Sequence, residues 1–120
     1  MANILIVDDS ASMRQMVSFT LKTGGHNVLD ASDGLEGLEK AKNTQFDLII
    51  SDVNMPNRNG LEMTADIRAL PDYKFTPILL LTTESAGDKK AEGKAAGATG
   101  WIVKPFNPET LKQTVSKVLS

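Results

Sequence analysis

Five short apolar runs punctuate the sequence, and a segment with helical spacing follows each one. The runs are Ile4-Leu5-Ile6-Val7, Val28-Leu29, Leu48-Ile49-Ile50, Ile78-Leu79-Leu80-Leu81 and Trp101-Ile102-Val103. All but the second are nearly continuous rather than alternating, the pattern of strands buried on both faces. Strands that alternate with helices predict an α/β fold with a parallel sheet, and right-handed crossovers then place helices on both of its faces.

The helical segments carry their own signals. Met13, Met16, Val17 and Leu21 stripe one face of a first helix, which Gly24-Gly25 stops. Leu35 and Leu38 mark a second, and Met63, Ile67 and Leu70 a third that Pro71 closes. A fourth falls between Ala86 and Gly97, with only alanines as apolar residues and three glycines. Leu111, Val115, Val118 and Leu119 stripe the last, which Asn107-Pro108-Glu109 opens with a capping residue and a proline.

Composition narrows the function. A chain of 120 residues is the size of one domain, and 41% hydrophobic residues suffice to cover a sheet. A net charge of −2 without charge blocks gives no footprint for nucleic acid. The absence of cysteine excludes a disulfide scaffold and a thiolate metal site. Met1-Ala2-Asn3 leads straight into the first strand, too short a lead for a signal peptide, and no apolar run approaches the roughly 20 residues of a membrane span. The expectation is one soluble, cytoplasmic domain over residues 1–120, with no output domain.

In open α/β sheets ligands bind beyond the carboxyl ends of the strands. Here those ends read Asp8-Asp9, Ser51-Asp52, Thr82-Thr83 and Lys104-Pro105. Any one of them alone is a cap, a turn residue or a solvated lysine. The fold, however, gathers three carboxylates, a hydroxyl and an ammonium at one edge. Two carboxylates about 4 Å apart repel by roughly 4 kcal/mol at an effective dielectric near 20, so a cluster of three calls for a cation or a proton. Magnesium takes one or two carboxylates directly and keeps waters and a phosphate oxygen. Asp9 and Asp52 suit direct ligation, with Asp8 behind a bridging water. A carboxylate can itself be the nucleophile that forms an aspartyl phosphate, with Mg2+ and Lys104 stabilising the charge in transfer.

Spaced motifs along the whole chain resemble the bacterial two-component response-regulator receiver domains, and most closely the single-domain CheY type from chemotaxis. They are Ile4-Leu5-Ile6-Val7-Asp8-Asp9, Ser51-Asp52-Val53-Asn54-Met55-Pro56, Gly60, Leu81-Thr82, Gly97-Ala98 and Val103-Lys104-Pro105-Phe106. The resemblance implies a flavodoxin-like (βα)5 fold with strand order 2-1-3-4-5, an order that is the family's own. It implies Asp52 as phosphoacceptor, and Asp8, Asp9, Asp52 and the backbone carbonyl of Asn54 as the magnesium site. Thr82 takes the role of switch hydroxyl, Lys104 contacts a phosphoryl oxygen, and Trp101 holds the aromatic position that rotates on activation. The Lys104-Pro105 bond is cis in the family. The implied partners are a sensor histidine kinase and a downstream target on the face of the fourth helix, fifth strand and fifth helix, with the domain a monomer that is no enzyme beyond self-catalysed phosphoryl transfer and autodephosphorylation.

Ser10, Ala86-Gly87 and Trp101 depart from the chemotaxis pattern, and the first two lie where an aromatic and basic residues are expected. Methionines 13, 16 and 63 read as core filler, His26 as a surface loop residue, Asp88-Lys89-Lys90 as a solvated helix face and Gly60 as a turn glycine. Two other classes compete. An aspartate-nucleophile phosphatase needs an Asp-x-Asp pattern at the first strand, where this chain has adjacent Asp8-Asp9. A flavin mononucleotide carrier needs a phosphate cradle there, and the same two acids would repel the phosphate.

Overall fold

The computed structural model describes residues 2–82, 87–104 and 106–119, with 87–90 described by backbone alone. Strands β1 (Asn3–Val7), β2 (Asn27–Ala31), β3 (Leu48–Asp52), β4 (Ile78–Thr82) and β5 (Gly100–Val103) form one parallel sheet in the order β2-β1-β3-β4-β5. Helices α1 (Ala11–Thr23), α2 (Gly34–Asn43), α3 (Gly60–Arg68), α4 (Gly87–Ala96) and α5 (Pro108–Leu119) connect and close it. The predicted doubly wound order is therefore observed.

The continuous apolar runs follow from this arrangement. Successive strand residues point to opposite faces, so a strand covered on both sides has no polar phase. Ile4, Ile6, Leu48, Ile50, Leu79 and Leu81 pack with Val17, Leu21, Leu111 and Val115 under α1 and α5. Leu5, Val7, Ile49 and Ile78 pack with Ala41, Met63 and Ile67 under α2 and α3. β5 departs from expectation. Its apolar run reads as doubly buried, yet it is an edge strand in which only Ile102 is buried and Val103 is 38% exposed.

The stop of α1 and the opening of α5 fall where the sequence places them, and Ser10 adds an N-cap that the sequence reading did not assign. Ser10 accepts the Met13 N–H and opens α1, and Gly24 with Gly25 (φ +90°) ends it. Asn107 accepts the Thr110 N–H at 2.7 Å ahead of α5. The second helix differs from its predicted face. Leu35 is 54% exposed and Leu38 is only half-buried, whereas Gly34, Gly37 and Ala41 face inward. The reason is close approach: a Cβ on Gly37 would stand 2.7 Å from the Met63 sulfur and 3.0 Å from Val7. The third helix ends at Arg68, and Leu70 packs against the core from the turn before the 3-10 segment Pro71–Tyr73.

Methionines 13, 16 and 63 do pack into the core. His26 lies in the loop between α1 and β2, as expected, and is also a fastening point. Its Nδ1 accepts the Ala2 N–H at 3.1 Å, fastening β1 at the edge opposite the strand carboxyl ends. Among the described residues no helix is long and apolar enough to cross a membrane.

Candidate functional site

Five parallel strands share one carboxyl edge, and that geometry alone brings the polar strand ends together. Asp8 leaves β1, Asp52 ends β3, Thr82 ends β4 and Lys104 follows β5. Oxygens from Asp8, Asp9 and Asp52 lie within 4.8 Å of one another. The Lys104 ammonium sits 3.4 Å from Asp52 Oδ1 and 3.7 Å from Asp8 Oδ2.

The three acids stand in different surroundings. Asp8 is fully buried, Asp9 is exposed, and Asp52 lies between them. Asp8 is held along its backbone, where its N–H donates to Ala31 O at 3.1 Å and its carbonyl accepts the Arg14 guanidinium at 2.7 Å. Its Oδ1 accepts the Ser10 N–H at 2.9 Å. Its Oδ2, also buried, has no hydrogen-bond donor among the described residues. Burial pushes the Asp8 carboxyl above its ordinary range, the negative charges of Asp52 and Asp9 push the same way, and the Ser10 N–H and Lys104 oppose them.

Asp52 Oδ1 accepts the Val53 N–H at 2.8 Å, which turns the carboxylate toward the acid pair and Lys104. The Lys104 N–H donates to Thr82 O at 2.6 Å, tying the ends of β4 and β5. Thr82 is buried, Trp101 is half-buried on β5 beside Leu80, and Asn54 is exposed in the loop after Asp52. Every site residue named from the sequence thus lies at this edge or on a strand that ends there. Thr83, Ala86 and Pro105, and with Pro105 the expected cis bond, lie outside the described residues, as do the side chains of Asp88, Lys89 and Lys90.

The acid cluster is the kind of donor set a hard divalent cation takes. It offers three carboxylates within 4.8 Å of one another and a buried Asp8 oxygen that no described donor satisfies. Among the described residues, the Lys104 ammonium stands against them.

Several residues that shape the site were not singled out for it. Ser10, noted only as a departure, caps α1 and orients Asp8. Arg14 joins the Asp8 carbonyl to the Asp30 carboxylate on β2, 3.2 Å from its Nε. Gly60 is the first residue of α3 rather than a turn glycine. Its N–H donates to Val53 O at 2.8 Å, and its backbone lies so near the Asp52 carbonyl that a Cβ would overlap it. Glycine and serine are common in loops whatever they do there, so only the capping potential of Ser10 was legible.

A doubly wound domain with a cation-ready acid pocket at its carboxyl edge is a class with many uses, and similarity narrows it. A family profile described as the response regulator receiver domain matches residues 4–116. Chemotaxis protein CheY-3 of Vibrio cholerae is 40% identical over 116 residues, covering 96% of this chain and 89% of that protein. The chemotaxis protein CheY homolog of Campylobacter jejuni is 40% identical over 118 residues, covering 97% of this chain and 91% of that protein. The crystal structure of the chemotaxis response regulator CheY4 of Vibrio cholerae superposes with a TM-score of 0.96 at 60% identity, covering 99% of each chain. This chain belongs to the response regulator receiver domains, of the CheY type. Such domains act as signalling switches and not as classical enzymes.

Proposed function

We propose that Asp52 accepts a phosphoryl group from a phosphohistidine of a sensor kinase, and that the acyl phosphate switches the domain for a downstream protein partner. The observation that carries this is the Lys104 ammonium 3.4 Å from Asp52 Oδ1 in a cluster of three acids. In the transfer, an Asp52 oxygen attacks phosphorus, the phosphorus–nitrogen bond breaks, and the imidazole leaves with its electron pair. Hydrolysis returns the carboxylate and releases inorganic phosphate, so the signal ends without a second enzyme.

Each neighbour has a part. Asp9, Asp52 and the Asn54 carbonyl would hold magnesium, with Asp8 behind a water, and the ion would supply charge stabilisation for the transferring group. Lys104 pairs with a phosphoryl oxygen once the Asp52 carboxylate has become the acyl phosphate, a mixed anhydride. The Val53 N–H fixes Asp52 Oδ1 and leaves Oδ2 to attack. Thr82 donates its hydroxyl to another phosphoryl oxygen, and Trp101 repacks in response. The target face is α4, β5 and α5, in a monomeric, cytoplasmic domain over residues 1–120 that serves a chemotaxis-like pathway.

Intact mass after exposure to a small-molecule phosphodonor with magnesium tests the reading. Wild type gains one phosphoryl group, and Asp52→Asn gains none. A stoichiometric adduct on folded Asp52→Asn moves the acceptor elsewhere.

A further inference from the structure

The loop that follows Asp52 is fastened on two sides, and the fastening is built from residues outside the acid pocket. At its start the Gly60 N–H donates to Val53 O at 2.8 Å, so residues 53–60 close on themselves. At its far end Asn57 takes the left-handed conformation, φ +65°, and its side-chain amide donates to Asp33 Oδ2 at 2.6 Å. The other Asp33 oxygen caps α2 by accepting the Glu36 N–H at 2.9 Å. Arg58 then reaches both ways. Its carbonyl accepts the Gly34 N–H at 3.0 Å, at the start of α2, with no room for a Cβ on Gly34. Its guanidinium makes a two-point contact with Asp66 on α3, at 2.8 and 2.9 Å, and a third contact with Glu62 at 3.1 Å. The planar guanidinium matches a carboxylate in this way, and lysine does not.

We infer that Arg58, Asp66 and Asn57 are positioning residues for the cation site, holding the loop that carries Asn54 in its binding geometry before the ion arrives. The inference rests on the magnesium reading above. None of the three is among the residues proposed to hold the ion. Asp66 lies on α3, a helix that contributes no proposed ligand. Loosening a loop means that binding must order it again, and each backbone residue fixed costs free energy. A cation that binds through few carboxylates has little to offset that cost.

Manganese(II), whose free-ion paramagnetic resonance signal disappears on binding, is the probe. Wild type is titrated beside Asp66→Asn, Arg58→Leu, the double variant and Asn57→Gly. Thermal unfolding is recorded on the metal-free proteins. Asp66→Asn and Arg58→Leu each weaken manganese binding about five- to tenfold, and the double variant is no weaker than either single one, because one clamp is lost once. Asn57→Gly keeps the left-handed backbone but loses the amide, and weakens binding too. It decides the matter should either clamp variant fail to fold. A merely structural pair would shift unfolding and leave manganese affinity at the wild-type value, and that result overturns the inference. Wild type that binds no manganese overturns the metal reading itself, and the clamp with it.

Discussion

At the scale of single residues, Asp8 is a carboxyl group taken out of water. Its carboxyl sits raised above its ordinary range, with one oxygen satisfied by the Ser10 N–H and the other facing Lys104 at 3.7 Å. Groups shifted by burial and by like charges cluster at functional sites, and this one lies beside the proposed acceptor. Thr82 is the second informative residue. It ends β4, buried, and its carbonyl takes the Lys104 N–H at 2.6 Å, so the proposed switch residue and the residue that carries the site ammonium share one backbone link. A hydrogen bond to a charged group contributes about 1.5–3 kcal/mol, so its loss lowers the active-to-inactive ratio by roughly tenfold or more. Thr82→Ala is therefore expected to be phosphorylated to the wild-type extent while the fluorescence of Trp101 changes little. A full wild-type fluorescence response to a phosphoryl mimic in this variant contradicts the switch role.

At the scale of elements, α4 stands apart from the other helices. The close approach of Gly93 to the sheet is real: a Cβ there would stand 3.0 Å from Leu80. Gly97, at φ +106°, is the stop that turns the chain toward β5. Those roles explain two glycines without making the helix strong. A glycine inside a helix costs about 1 kcal/mol relative to alanine, and alanines bury little apolar area. Helix α1, by comparison, sends Val17 and Leu21 into the core. Native-state hydrogen exchange of the unphosphorylated protein is expected to show amides 91–96 at least about tenfold less protected than the core amides of α1. Equal protection in the two helices contradicts the low stability inferred for α4.

At the scale of the whole molecule, the sheet edge was legible and the packing around it was not. Strand ends could be read because the apolar runs stop there, so Asp8, Asp52, Thr82 and Lys104 mark the carboxyl ends in the sequence itself. β5 was legible as a strand from its apolar run, but its place at the edge came only from the strand order that the resemblance implies. The inward face of α2 was hidden for a related reason: Gly34 and Gly37 are chosen by what lies opposite, the Arg58 carbonyl and the Met63 sulfur. Nothing in the sequence singles out Arg58 and Asp66, because their pairing appears only once the loop is folded against α3. The chemistry of this domain was thus written at strand termini, and its support was written in tertiary contacts. The most direct measurement of the central claim is reduction of the phosphorylated protein with borohydride, which converts an aspartyl phosphate to homoserine, followed by peptide mapping. Homoserine is expected at position 52 alone, and homoserine at position 8 or 9 with Asp52 intact would contradict the account.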